Sequence, residues 1–273
     1  MQPNDTRRLV LLTAPVAAIF VAFWLLPIGR LIVLSGDGPG GFESYLRILS
    51  TPRYLISIGV TVALSAGVTI ATLAIAVISG LFLVRNRFHG RDLLISILTL
   101  PLAFSGVVVG FMVIMLAGRQ GLIGSVTTAL TGSRLMFAYS FAGLFMGYVY
   151  FSIPRVILTV MASAEKLDYT VEEAARSLGA NGRRVMLDVI VPALAPALVS
   201  SGAICFATSM GAFGTAFTLN AGVDVLPMVI YNEFTLGANI AVASALSVIL
   251  GVLTWAVLAL ARTFTGAGVA AAA

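Results

Sequence analysis

Nine of the 27 charged residues in this 273-residue chain lie between Glu165 and Asp188. Clustered carboxylates such as Glu165, Glu172 and Asp188 invite an acid–base or metal reading, since such chemistry needs titratable groups with matched partners. The partners are missing. The one histidine, His89, stands in a basic loop, and the one cysteine, Cys205, in an apolar run, so no disulfide, thiolate site or His-based metal centre is expected. A phosphate-cradling GxxxxGK[ST] loop is absent too: the single lysine, Lys166, falls between Glu165 and Leu167. Asp224 and Glu233 lie far along the chain, without histidine company. The chain is expected to be no enzyme and to hold no cofactor or metal. Its polar segment must do something other than catalysis.

The spacing within that segment is helical. Ala164, Leu167, Val171, Ala174, Ala175 and Leu178 recur at intervals of three and four. Thr170 followed by Glu173 fits a capping box, in which the hydroxyl takes the amide of residue 173 and the carboxylate returns to the amide of residue 170. Gly179 suits the left-handed position after a helix end. These signals predict a helix over 171–178, roughly 12 Å long. Asn181-Gly182 predicts a further turn. A second amphipathic piece follows, with Val185, Val189, Ile190 and Leu194 on one side and Arg183, Arg184 and Asp188 off it; Pro192 and Pro196 punctuate what comes next. Two readings fit: a linker lying on a membrane surface, or a rigid helix presented to a groove on a partner.

The elements that position this segment are membrane spans. The chain is 59% hydrophobic and 10% charged, with a mean hydropathy of +1.05; soluble domains carry about 25% charged residues. Apolar runs of about 20 residues match a hydrocarbon slab of ~30 Å. Such runs predict spans near 9–34, 57–84, 92–117, 138–163, 197–219 and 238–262. The first is too long for a cleaved signal peptide. Lys and Arg outside the spans divide ten to four in favour of the side holding both termini and the 164–196 loop, which places these in the cytoplasm. The net charge of +5 therefore reads as topology, not as nucleic-acid binding. The whole of 1–273 reads as one transmembrane domain, with a featureless tail from about 264.

Glu173-Ala174-Ala175, Gly179 four residues on, and Pro192 thirteen after the glycine resemble the EAA signature of ABC importer permeases. That signature runs Glu-Ala-Ala, three residues, Gly, nine residues, Ile, one residue, Leu-Pro. Val189 and Val191 replace its Ile and Leu, keeping the apolar character. The resemblance covers nearly the whole chain, and is to type I importers of the polyamine, ferric iron, thiamine and phosphonate group. It implies an all-α, six-span permease of a bacterial inner membrane with short amphipathic cytoplasmic coupling helices. It also implies two copies of a P-loop ATPase carrying ATP and Mg, a sister permease or second copy of this chain, and an extracytoplasmic substrate-binding protein. The loop would be the coupling helix seated in the ATPase, with Thr170, Glu172, Glu173, Ala174, Ala175, Arg176, Gly179, Ala180, Arg183 and Pro192 as docking residues. The alternative for Glu173 is a cap alone, and the two roles are compatible.

A substrate path needs polar groups inside the bundle. Ser105 in the third span and Thr208, Ser209, Thr215 and Asn220 in the fifth are candidates, with Asp224 and Glu233 near the outer mouth. Small and hydroxyl residues also serve close helix packing, and two acids in a loop can simply be solvated. The expected substrate is polyamine-like or another small charged solute, ferric iron, a phosphonate or thiamine among them. The rival functions are an ion-coupled carrier and an ABC-independent channel. A carrier usually holds ionisable groups at mid-membrane. Only Arg30 and Arg155 lie inside the spans away from an edge, and no carboxylate does.

Overall fold

The computed structural model describes residues 3–36, 43–219 and 221–265, with side chains from 12 to 264. Among these residues there is no strand. Six helical stretches are long and apolar enough to cross a membrane: Leu12–Gly36, Pro52–Arg85, Gly106–Thr131, Phe141–Ala164, Gly182–Met210 and Ile240–Phe264. The expected all-α, six-span class is the observed one.

Three spans differ from their expected form. The first consists of α1 (Pro3–Phe20) and α2 (Leu26–Gly36) joined through a π-helical turn, Val21–Leu25. A second π turn, Val185–Ile190, precedes α11 (Val191–Met210). Each widened turn runs into a proline, Pro27 or Pro192. Proline lacks an N–H and its ring crowds the carbonyl four residues back; shifting bonds to a five-residue step, as from Val191 to the Met186 carbonyl, opens the turn ahead of it. Pro192 and Pro196 therefore lie inside a continuous helical run and do not punctuate it. With α10 (Gly182–Arg184), the supposed second amphipathic piece is the leading end of the fifth span.

The third span is broken where a single helix was expected. α5 (Arg91–Thr99) gives way to a 3-10 turn at Leu100–Ala103, and Phe104 and Ser105 are extended before α6 (Gly106–Ala117) begins. Pro101 ends the first piece, since neither it nor the residue before it suits helix continuation. The crossing stretch is instead α6 followed by α7 (Leu122–Thr131). The fifth span likewise stops at Met210, and α12 (Gly214–Leu219) resumes after Gly211–Phe213. The remaining elements are α3 (Glu43–Ser50), α4 (Pro52–Arg85), α8 (Phe141–Ala164), α9 (Tyr169–Ser177), α13 (Leu226–Thr235) and α14 (Ile240–Thr265). α4 is one helix of 34 residues, about 51 Å at 1.5 Å per residue.

Contacts divide the chain into two compact units. One comprises the chain up to Ile56 with Val229–Gly251. In it Ser35 and Tyr45 share a hydrogen bond of 2.9 Å that holds α3 to the end of α2. The other comprises Ser57–Met228 with the chain from Val252. Its core gathers Leu64 and Val68 of α4, Val113 of α6, Leu144, Ile157 and Val160 of α8, Cys205 of α11 and Leu219 of α12. Lipid tails are as apolar as leucine, so close packing, rather than escape from water, holds such helices together. At Gly110 a Cβ would come within 2.7 Å of Thr218, so glycine is what lets α6 and α12 approach.

Candidate functional site

The polar segment forms a compact helix–turn–helix. Asp168, with extended backbone, caps α9 by accepting the Thr170 amide at 2.9 Å. This bond holds the Asp168 carboxyl below its usual pKa, as hydrogen bonding to a charged form does. The expected capping box is therefore not the cap: Thr170 lies inside the helix, and the helix begins two residues earlier than predicted. Asp is as good an N-cap as Thr or better, and it precedes the tyrosine that opens the helix.

The far end follows the predicted chemistry. The Gly179 amide donates to the Arg176 carbonyl at 2.9 Å and the Ala180 amide to the Ala175 carbonyl at 3.0 Å. Together with φ of +86° at Gly179 this is a Schellman stop. Asn181 then caps the next helix, its Oδ1 accepting the Arg184 amide at 2.9 Å. Asn181-Gly182 thus starts a helix; the turn itself is made at Gly179.

Burial sorts the candidate docking residues into two faces. Thr170, Glu173, Ala174, Arg176, Gly179, Arg183 and Pro192 are exposed, and Leu178 is 90% exposed. Ala175 and Ala180 turn inward and pack on a small core of Leu81, Ala164, Val185, Ile190 and Leu194. Glu172, expected on the docking face, is only 6% exposed and is ion-paired with Arg85 at the end of α4. The Arg85 guanidinium also lies over the Tyr169 ring, 5.9 Å from its centroid. A carboxylate this buried would be expensive without a partner. Sequence reasoning missed this pair, because 87 residues separate its members and no local pattern links them.

Cavities flank α9. One, of about 480 Å³, is lined by Val84, Arg87, Phe88, Arg91, Asp92, Glu165 and Tyr169. The other, of about 270 Å³, is lined by residues including Asp168, Val171, Glu172 and Asp188. Arg91 also closes the end of α4, its Nε donating to the Leu83 carbonyl at 2.6 Å.

The candidate path residues fare unevenly. Ser105 caps α6, its hydroxyl accepting the Val108 amide at 3.5 Å. Thr215, 2% exposed, donates to the Gly106 carbonyl at 2.9 Å. The breaks in the third and fifth spans therefore adjoin, and Tyr148 of α8 reaches the same place, donating to the Ala212 carbonyl at 2.5 Å. Thr208 bonds within its own helix, to the Cys205 carbonyl at 3.0 Å. Ser209 is buried with no hydrogen-bond partner among the described residues. Asn220 lies outside the described residues, and Asp224 is exposed. Glu233 belongs to helix α13, not to a loop, and accepts a hydrogen bond of 3.0 Å from the Tyr54 hydroxyl.

Comparison with known proteins agrees with this architecture. The chain is 28% identical to the putative 2-aminoethylphosphonate transport system permease protein PhnU of Salmonella typhi, over 94% of this chain and 91% of that one. It is also 28% identical to the molybdenum transport system permease protein ModB of Haemophilus influenzae, over 65% and 77% of the two chains. In fold it resembles a chain of a bacterial alginate ABC transporter, crystallised with an alginate pentasaccharide-bound periplasmic protein. There the TM-score is 0.79 at 18% identity, covering 96% of this chain and 97% of that one. The family model for the binding-protein-dependent transport system inner membrane component matches residues 72–266. That match takes in five of the six crossings in whole or part together with the Glu173–Pro192 signature, and the chain belongs to this family of transport-system membrane components.

Proposed function

We propose that the chain is the permease subunit of an ATP-driven importer, coupled to a separate ATPase through the exposed face of α9. As a member of its family it is a transporter subunit and not an enzyme. One observation carries the coupling reading: Leu178 stands 90% exposed at the tip of a short helix fixed at both ends. A bare linker has no use for such rigidity, whereas a helix entering a groove presents this kind of apolar tip. Glu173, Ala174, Arg176, Leu178 and Gly179 form the docking face. Glu172 is removed from it by its pairing with Arg85. Both termini and α9 lie on the cytoplasmic side, as the Lys and Arg bias requires.

ATP binding would close the ATPase dimer and draw α9 towards its counterpart in a second permease, opening the bundles to an extracytoplasmic binding protein. The substrate is a small oxyanion. The named relatives support this class over a polyamine: molybdenum travels in neutral water as an oxyanion, and a phosphonate is another. Uptake of labelled molybdate, 2-aminoethylphosphonate and putrescine into proteoliposomes holding the purified complex tests the reading. Uptake of an anionic solute should require ATP and survive a protonophore. Uptake that persists without the ATPase and collapses with a protonophore would establish an ion-coupled carrier instead.

A further inference from the structure

We infer that Arg85 is a positioning residue for the docking loop, fixing α9 to the second span as well as to the fifth. The inference rests on the docking reading and deepens it. The backbone of α9 packs on the Val185–Ile190 turn, which flows without interruption into α11. That packing leads into the fifth span, while Leu81 of α4 and Ala164 of α8 meet α9 through the apolar core under Ala175. The Arg85–Glu172 pair adds a direct tie to the second span, because Arg85 is the last residue of the 34-residue helix α4.

The geometry suits a fixed joint. The Glu172 side chain is 8% exposed and that of Arg85 26%, so the pair is sheltered from solvent screening on the carboxylate side. Arg presents a rigid fork of donors and stacks on aromatic faces, which lysine does neither as well; Tyr169, the first residue of α9, supplies that face. One turn back along α4, Leu81 joins the small core on which Ala175 rests. Arg85 thus meets two residues of α9, a charge at 172 and a ring at 169. Glu173, beside Glu172, is exposed and left free for a partner. Adjacent acids divide the work: 172 anchors inward and 173 faces outward.

The test is co-purification of the ATPase with the full-length permease in mild detergent, together with amide hydrogen exchange of α9. Arg85→Glu should lower the recovered ATPase about tenfold, within the usual span of coupling between sites, and speed exchange across 170–178. Glu172→Arg should do the same. The double variant Arg85→Glu/Glu172→Arg should restore both readouts, and Arg85→Lys should retain more ATPase than Arg85→Glu. All four should insert at wild-type levels. A general packing defect would not be rescued by exchanging the charges. If wild type recovers an ATPase and Arg85→Glu recovers as much, with unchanged exchange in α9, the positioning role is overturned while docking stands. If wild type recovers none, the docking reading fails and takes this one with it.

Discussion

Thr215 donates its hydroxyl to the Gly106 carbonyl across 2.9 Å, joining the first turn of α12 to the first turn of α6. Both residues stand at interruptions of apolar spans; the Gly106 carbonyl, at the N-terminal end of its helix, already faces its own helix partner, so the Thr215 hydroxyl adds a tie between the two helices. Replacing Thr215 by Val keeps the shape and removes the donor, and should lower stability by about 0.5–2 kcal/mol. The midpoint of thermal unfolding in detergent reports it.

Gly110→Ala should destabilise by a different cause, overlap of its Cβ with Thr218 at 2.7 Å. Gly29→Ala is the matched control, since nothing lies within 4 Å of a Cβ there. The first should lower the unfolding midpoint and the second leave it unchanged.

At Gly179 the constraint is the backbone and not the space. Its φ is +86°, yet a Cβ would meet nothing within 4 Å. Gly179→Asn should keep the turn, since Asn tolerates the left-handed region, while Gly179→Val should strain it by about 1–2 kcal/mol. Hydrogen exchange at the amides of residues 179 and 180, which carry the two closing bonds, should be near wild type in the first and faster in the second.

The Asp168 cap predicts a pH dependence. Its carboxyl is held below the ordinary value by the Thr170 amide, so the cap contributes fully above the unfolded carboxyl pKa of about 3.9 and is lost as pH falls through the lower native value. Exchange of the Thr170 amide, compared with other helical amides at the same pH, should therefore accelerate only in that acid window. Asp168→Asn keeps an acceptor and should remove the pH dependence. Asp168→Ala should speed exchange wherever wild-type Asp168 is ionised and match wild type below that window, and Thr170→Ala, which removes the hydroxyl that also holds the carboxyl down, should move the window towards the ordinary carboxyl value.

Span number, Gly179 as the helix stop and the amphipathic character of 171–178 were legible in sequence, because each depends on residues within a turn or two of one another. Two local signals compete at the start of α9: Thr170 with Glu173 has capping-box spacing, but Asp168 is the stronger cap and comes first along the chain. Pro101 gave warning of the break before α6, yet apolar composition alone could not distinguish a broken span from an intact one. The interior of the site was hidden. Glu172 and Glu173 are indistinguishable as neighbouring letters, and only the return of α4, 87 residues earlier, buries one and leaves the other exposed.

The most direct test of the account is recovery of partners with the affinity-purified chain in mild detergent, comparing wild type with Gly179→Asp and Glu173→Arg. Wild type should bring down a P-loop ATPase, and both variants should insert in the membrane normally but lose it. Recovery of the chain without any ATPase, or equal recovery by all three proteins, would contradict the claim that the exposed face of α9 is where energy enters this permease.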